Sequence, residues 1–591
     1  MQRSSSLIDN IGDIGTENSK LTVFLCLFPV IICYIYIWYF GVNTPCWDEW
    51  TEFYRIDLFL TGKHTFSGLF EQHNEHRTVT QRVTMILLAI LTSYNTKIEM
   101  AFNQIAMVLT VWILFVEFKR LFGPKFSLVF FVPVPYLAFS LRQYDNILYA
   151  IQSVAYYPVF FGVLTFYFIS RISNFETTIR KSLRFFFANA AAFTASFSFS
   201  SGLLVWPAGF FQILISGMQK KTKFFLLFIW LVTGFATFWL YFYDYRKPFY
   251  QHPVADSLLK YPLYTFKYIF YLTGNTLYSG LFINLITGVF IVFAAFLLFP
   301  AIFRSDFQKY SFWSGTLFYS FATIFLIAVG RTALDFNYIL PKRYSTYGIV
   351  GPISLYVMYL GVISLESHRI SKKYAYILKV VFGVFLLLLC SSIVSSFEEG
   401  YIGGQYIRYE REKIAYYVYT YKTQPDENLM RVFPGPDIVR QYAPILEKRK
   451  YSVFSRPYLP PLNELTGLSA STIGFCTLNG VLVTDNNQLF TIDDKHQYIK
   501  IDGWAVDNIE KDIAGGVYIK IDDKLFPAFY GISRTDVAEH FMMHKYRYIG
   551  FEVNIPVSLI EKGVHKLSVI VLTKNRKHYF IPNTEITVNR V

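Results

Sequence analysis

The sequence predicts a polytopic α-helical membrane protein of about eleven transmembrane helices, followed by a C-terminal all-β sandwich domain. Two observations carry the membrane part. The chain is 53% hydrophobic and only 16% charged, where an average soluble domain is about 25% charged. Its mean hydropathy stays at +0.34 over 591 residues, too apolar for a large soluble core. The third observation is a change of period. From about residue 480 the long apolar runs give way to short stretches that alternate apolar and polar residues, the signature of half-buried strands.

Residues 1–20 are polar and Ser-rich and read as a cytoplasmic tail. Residues 21–42 form the first span. The run is too long for a signal-peptide core and no small-residue cleavage site follows it, so it reads as retained. Residues 43–97 form a large first outer loop. Within it, 77–94 has a helical pattern whose apolar half, 83–91, is too short to span, which predicts an interfacial or re-entrant helix. Further spans are expected at 98–118, 126–141, 147–170, 185–199, 203–216, 224–243, 281–303, 310–330, 348–365 and 376–395. The short pair 185–199 and 203–216 is hinged at Ser200-Ser201-Gly202, and broken helices of this kind are tolerated where they line a cavity.

Charge orients this array. Lys119, Arg120 and Lys125; Arg171, Arg180, Lys181 and Arg184; Lys220, Lys221 and Lys223; Arg304 and Lys309; and Arg369, Lys372 and Lys373 all fall on one side. By the positive-inside rule that side is the cytoplasm. The N-terminus is then cytoplasmic, and everything after residue 396 is extracytoplasmic. The net charge of +14 is thus explained by topology, and no nucleic-acid motif is present. Five cysteines, three of them inside apolar runs, make no disulfide framework. Residues 397–480 are punctuated by proline and read as an extracytoplasmic linker with some helix. Residues 481–591 hold about eight short strands, including 498–504, 517–521 and 565–573, separated by Asp-Asp and Lys-Gly turns.

Chemistry-bearing residues concentrate in the first outer loop. Asp48 and Glu49 follow span one at once. A carboxylate within reach of a hydroxyl serves as a general base; the competing explanation is helix capping, since acidic residues favour the first turn. A second cluster follows in Gln72-His73-Asn74-Glu75-His76-Arg77. The spacing His-x-Glu-His matches no zinc-protease motif. His73, Glu75 and His76 are candidates for binding phosphate and sugar hydroxyls, with Arg77 or Arg82 facing an anion; the competing explanations are a plain surface cluster and a divalent Mg²⁺ or Mn²⁺ held by these residues with a carboxylate from the first motif. Arg331, Lys342, Arg343 and Tyr344 lie between late spans on the outer side; the planar guanidinium matches phosphate oxygens, and the competing explanation is interfacial anchoring by snorkelling. Arg142 and Asp145 are weaker candidates of the same kind.

An N-terminal span followed directly by an acidic motif, amphipathic loop helices and many spans with short broken ones resembles the GT-C superfamily of integral-membrane glycosyltransferases. The resemblance covers roughly residues 20–396, and the acidic pair here is Asp-Glu rather than Asp-x-Asp. It implies transfer of a sugar from a polyprenyl-phosphate-linked donor to a cell-envelope glycan or lipid acceptor, at a bacterial inner membrane. Asp48 or Glu49 would be the base, with His73, Glu75, His76, Arg77, Arg331, Arg343 and Tyr344 around the donor phosphate and sugar. The β-region, with its Gly503-Trp504-Ala505-Val506-Asp507 phrase, resembles small sandwich domains appended to such enzymes. That implies glycan binding through Trp504 or Tyr530, against a core position for Trp504. The rival readings are a polymerase or ligase using a diphosphate-linked donor, and a non-enzymatic glycolipid transporter.

Overall fold

The computed structural model describes residues 19–124, 126–172, 177–248, 258–304, 307–332, 342–468, 474–482, 489–493, 495–581 and 586–591. Most of the expected N-terminal tail, Lys125, and parts of the loops at 249–257 and 333–341 lie outside them. The chain divides into two compact units. One comprises 1–41, 55–92 and 96–408; the other comprises 42–54, 93–95 and 409–591.

The first unit is helical. Among the described residues, seven helices are long and apolar enough to cross a membrane: Lys20–Phe40, Ala150–Ser170, Lys220–Phe242, Leu281–Phe303, Phe307–Arg331, Tyr344–Leu365 and Lys372–Tyr419. This is fewer than the eleven read from the sequence. Thr96–Phe122 is continuous for 27 residues, with its charges confined to the two ends, and stands outside that set. The run 126–141 is not one helix. It breaks into Leu128–Phe131, Pro133–Ala138 and Leu141–Gln143, with Pro133 at the first position of the second piece, where its missing N–H would have no helical partner anyway. The short pair becomes Thr178–Ser196 and Val205–Ile215, joined through a 3₁₀ turn at Ser200–Leu204. Gly202 is obligatory in that turn, since a Cβ there would come within 1.8 Å of the Ala195 carbonyl oxygen. The loop helix is present as Val79–Thr92. Its first donors are satisfied by another helix end: the Val79 N–H donates to the Phe197 carbonyl at 2.8 Å, filling part of the orphan set at a helix start.

The last long helix runs for 48 residues, Lys372–Tyr419, well past the expected end at 395. The stretch read as a linker is therefore largely helical, with Asp426–Val432 and Pro436–Arg449 following.

The second unit carries a β-sheet domain. Among the described residues twelve strands lie on one hydrogen-bonded sheet; two of them, Thr466–Leu468 and Gly474–Leu478, precede residue 481, and ten fall in 481–591, where about eight were expected. The three strands named from alternation are present as Tyr498–Asp507, Gly516–Ile521 and Gly563–Leu572. Gly516–Ile521 pairs antiparallel with both Gly563–Leu572 and Lys524–Ile532. The Asp522-Asp523 turn makes the second of these a tight hairpin, with Asp522 at φ 49°. Tyr498–Asp507 pairs antiparallel with Gly550–Pro556 and with Gly474–Leu478. Ile499, Ile501, Val517, Ile519, Ile555 and Leu567, all fully or almost fully buried, form the core between these strands.

Candidate functional site

The His73–Arg77 segment is a tight turn. His73 and His76 exchange both backbone hydrogen bonds at 2.8 Å, and Asn74 takes the left-handed position at φ 51°, which Asn tolerates better than most residues. The turn is stitched to the end of the Lys220–Phe242 helix. The Gln72 amide donates to the Arg246 carbonyl at 2.6 Å and accepts from the Arg246 N–H at 3.0 Å.

Three arginines hold the chain just before this turn. The Ser67–Phe70 3₁₀ helix presents its last carbonyls to them. Arg55 donates to Gly68 at 2.7 Å, Arg82 donates to Leu69 at 2.9 Å and to Glu71, and Arg77 donates to Phe70. Arg77 also donates to the Tyr241 carbonyl at 2.7 Å and the Tyr243 carbonyl at 2.5 Å. Arg77 and Arg82, read from the sequence as facing an anion, are thus engaged by backbone carbonyls and are buried. Their work is to shape the loop.

The arrangement brings together two motifs separated by 256 residues. Arg331, the last residue of the Ser311–Arg331 helix, donates from Nη2 to Glu75 Oε1 at 2.7 Å. His76 Nε2 lies 3.5 Å from the same oxygen. The imidazole stacks on Phe199 at 3.7 Å, and Phe199 in turn stacks on Tyr347 at 5.4 Å. His76 Nδ1 is buried and has no hydrogen-bond partner among the described residues. Burial pushes the Glu75 carboxyl up, but His76 and the Arg331 guanidinium outweigh it and hold the group well below the usual carboxylate range. Burial pushes the His76 imidazole down, and the pull of Glu75 does not cancel it. At neutral pH the centre therefore reads as an ionised carboxylate paired with an arginine, beside a neutral ring with one buried acceptor nitrogen.

The other expected residues are placed differently. Arg343 is exposed, its guanidinium 5.8 Å from the Tyr344 ring. Tyr344 packs with Tyr268, Tyr271 and Ile324. Among the described residues no three His, Cys, Asp or Glu side chains gather as metal ligands.

Asp48 and Glu49 belong to the second unit, so the loop read as one chemical centre is divided between the two units. They open the Asp48–Leu60 helix. Glu49 is buried, and its Oε2 accepts from the Cys46 N–H at 2.8 Å. This is a reciprocal cap, since the Glu49 N–H donates to the Cys46 carbonyl at 3.2 Å, and a capping carboxylate suits the positive end of a helix. Asp48 is exposed. In the β-sheet domain the Tyr530 hydroxyl donates to the Ala505 carbonyl and accepts from the Ala514 N–H, both at 2.9 Å. Trp504 and Tyr530 pack with Val506, Tyr546 and Ile549, so both act in packing.

Phe199, Tyr241 and Tyr347 were not singled out in the sequence. They sit inside apolar aromatic runs, and no local signal separates a ring that stacks on a loop histidine from one that faces lipid.

No family model matches the chain, and no solved structure matches it. It is similar to an uncharacterised protein of Archaeoglobus fulgidus, 27% identical over 213 residues, which are 34% of this chain and 53% of that protein. The chain thus spans about half the length of the curated relative it matches.

Proposed function

We propose that the chain is a membrane glycosyltransferase that moves a sugar from a polyprenyl-phosphate-linked donor to a cell-envelope glycan or lipid acceptor. The observation that carries this reading is the Glu75–Arg331 ion pair with His76 beside it. Glycosyl transfer needs a base for the acceptor hydroxyl and a cation for the charge that develops on the leaving phosphate. His76 offers a neutral ring with an acceptor nitrogen, oriented by a carboxylate in the manner of other His–carboxylate dyads. Arg331 ends an apolar helix of 21 residues, which supports a place for it, in this reading, where the phosphate of a lipid-linked donor would meet its isoprenoid tail. About eleven crossings, a cytoplasmic N-terminus and an extracytoplasmic C-terminal domain in a bacterial inner membrane complete the proposal.

The test is sugar transfer by purified protein from a panel of polyprenyl-phosphate sugars. The wild type is expected to turn over at least one donor. His76→Gln is expected to lose about 10²–10⁴-fold in turnover, and Arg331→Lys to lose activity as the fork is replaced by a point charge. Asp48 is the rival base. Loss in Asp48→Asn with wild-type turnover in His76→Gln moves the base to Asp48. Absence of transfer with every donor removes the reading.

A further inference from the structure

A second polar cluster in the helical unit uses none of these residues and does not depend on the reading above. Arg142 is 1% exposed, and its Nε, Nη1 and Nη2 have no hydrogen-bond partner among the described residues. The nearest carboxylate oxygen, Glu399 Oε2, lies 3.4 Å from Nε, longer than the about 2.7–2.9 Å of a charge-assisted hydrogen bond. Lys342 Nζ lies 3.5 Å from the same Glu399 oxygen and 4.7 Å from the centre of the Tyr144 ring. One carboxylate oxygen therefore stands between two cations and satisfies neither well. A buried cation with unmade hydrogen bonds is costly, so the arrangement is under-filled.

The scaffold fixes these groups in place. The Asn146 amide donates to the Arg343 carbonyl at 2.7 Å and to Thr346 Oγ1 at 2.6 Å, and Thr346 Oγ1 donates to Gln143 Oε1 at 2.6 Å. These bonds fasten the turn carrying Arg142 to the turn carrying Lys342. Opposite them, the backbone around Glu399 packs at close range. A Cβ on Gly400 would come within 2.4 Å of Leu141 Cβ, and one on Gly403 within 2.3 Å of the Tyr144 ring. The Glu399 and Lys342 side chains are 22% and 26% exposed, so the cluster opens on their side with Arg142 as its floor.

We propose that Arg142 and Lys342 form an oxyanion site for a phosphate group, and that the Glu399 carboxylate stands in that site until a phosphate displaces it. The planar fork of an arginine with unused donors matches phosphate oxygens, and the lysine adds a second charge. The phosphate comes either from a lipid headgroup or from free phosphate.

Full-length protein in a non-ionic detergent tests this. Binding and thermal unfolding are followed with three probes: inorganic phosphate, dihexanoyl phosphatidate, and dihexanoylglycerol as the control without phosphate. Glu399→Gln removes the stand-in anion. It should unfold at a lower temperature without probe, be restored by a phosphate probe, and bind that probe about tenfold more tightly than wild type. Arg142→Gln should bind about tenfold more weakly. Should that variant fail to fold, Lys342→Gln, at a partly exposed position, should weaken binding by several-fold. Response to phosphatidate alone assigns the lipid headgroup, and response to inorganic phosphate assigns free phosphate. A simple structural ion pair predicts that Glu399→Gln is destabilised and no probe restores it. That outcome, equal response to dihexanoylglycerol, or wild-type affinity in both cation variants overturns the proposal.

Discussion

Replacing Glu75 by Gln keeps the shape of the side chain and removes the charge that Arg331 meets at 2.7 Å. The cost follows from burial. Exposed ion pairs contribute about 0.2–1 kcal/mol, while breaking a fully buried pair costs about 3–5 kcal/mol because a charge is stranded. Here the two side chains are 13% and 30% exposed, so the stranded guanidinium keeps some water. Glu75→Gln should therefore destabilise the helical unit by about 2 kcal/mol, in the range of a hydrogen bond between charged groups. A double-mutant cycle isolates the pair: Glu75→Gln, Arg331→Gln and the double variant, each unfolded by denaturant titration in detergent micelles. The coupling energy should be about 1–2 kcal/mol, with the double variant less damaged than the sum of the singles. A coupling below about 0.3 kcal/mol, the noise of independent sites, would show that the loop and the helix end do not engage each other, and the site would dissolve with it.

Two further outcomes follow from the same geometry. His76 has its imidazole pushed below its ordinary 6.5 by burial, so the unfolded chain takes up that proton first; stability is complete above about pH 6.5 and falls as the pH drops. The unfolding midpoint of wild type minus that of His76→Gln should decline below about pH 6.5, and a flat difference down to pH 5 would contradict the burial of the ring. The depressed Glu75 carboxyl has the same sign and adds a further loss below about pH 4.3. In the β-sheet domain, a fragment starting at residue 485 omits Gly474–Leu478, which pairs with Tyr498–Asp507 over five residues. Fragment 485–591 should expose that strand edge and aggregate, whereas 460–591 should stay soluble and show a strand spectrum by circular dichroism. Equal solubility of the two would make the added strands dispensable.

Local pattern made the helical and strand regions legible, because apolar runs of span length and two-residue alternation are properties of neighbouring residues. What it missed depends on distance along the chain. The 126–141 run is apolar almost throughout, yet it is divided into three short helical pieces, the second of which starts at Pro133, and composition alone carries no trace of that division. Hydropathy falls at Glu398 and Glu399, and Gly400, Gly403 and Gly404 each disfavour a helix, yet the element continues to Tyr419, because those glycines pack against Leu141, Tyr144 and Phe40 where a Cβ would clash.

Charge was the least legible property. The first outer loop looked uniform, a run of carboxylates, imidazoles and arginines, yet its members do different work. Arg55, Arg77 and Arg82 cover the carbonyls of one 3₁₀ turn, Glu49 caps a helix, and Glu75 meets Arg331, a cation 256 residues away. An arginine is drawn to whatever acceptors are least solvated, and at the end of a short 3₁₀ helix those are backbone carbonyls rather than a ligand. Arg142 is the opposite case. The Leu137, Ala138 and Arg343 carbonyls in its neighbourhood are taken by the Gln143 and Asn146 amides, and its own donors meet none among the described residues. An arginine is therefore a strong pointer to a ligand where the surrounding backbone is already paired, and a weak one where a helix end is near.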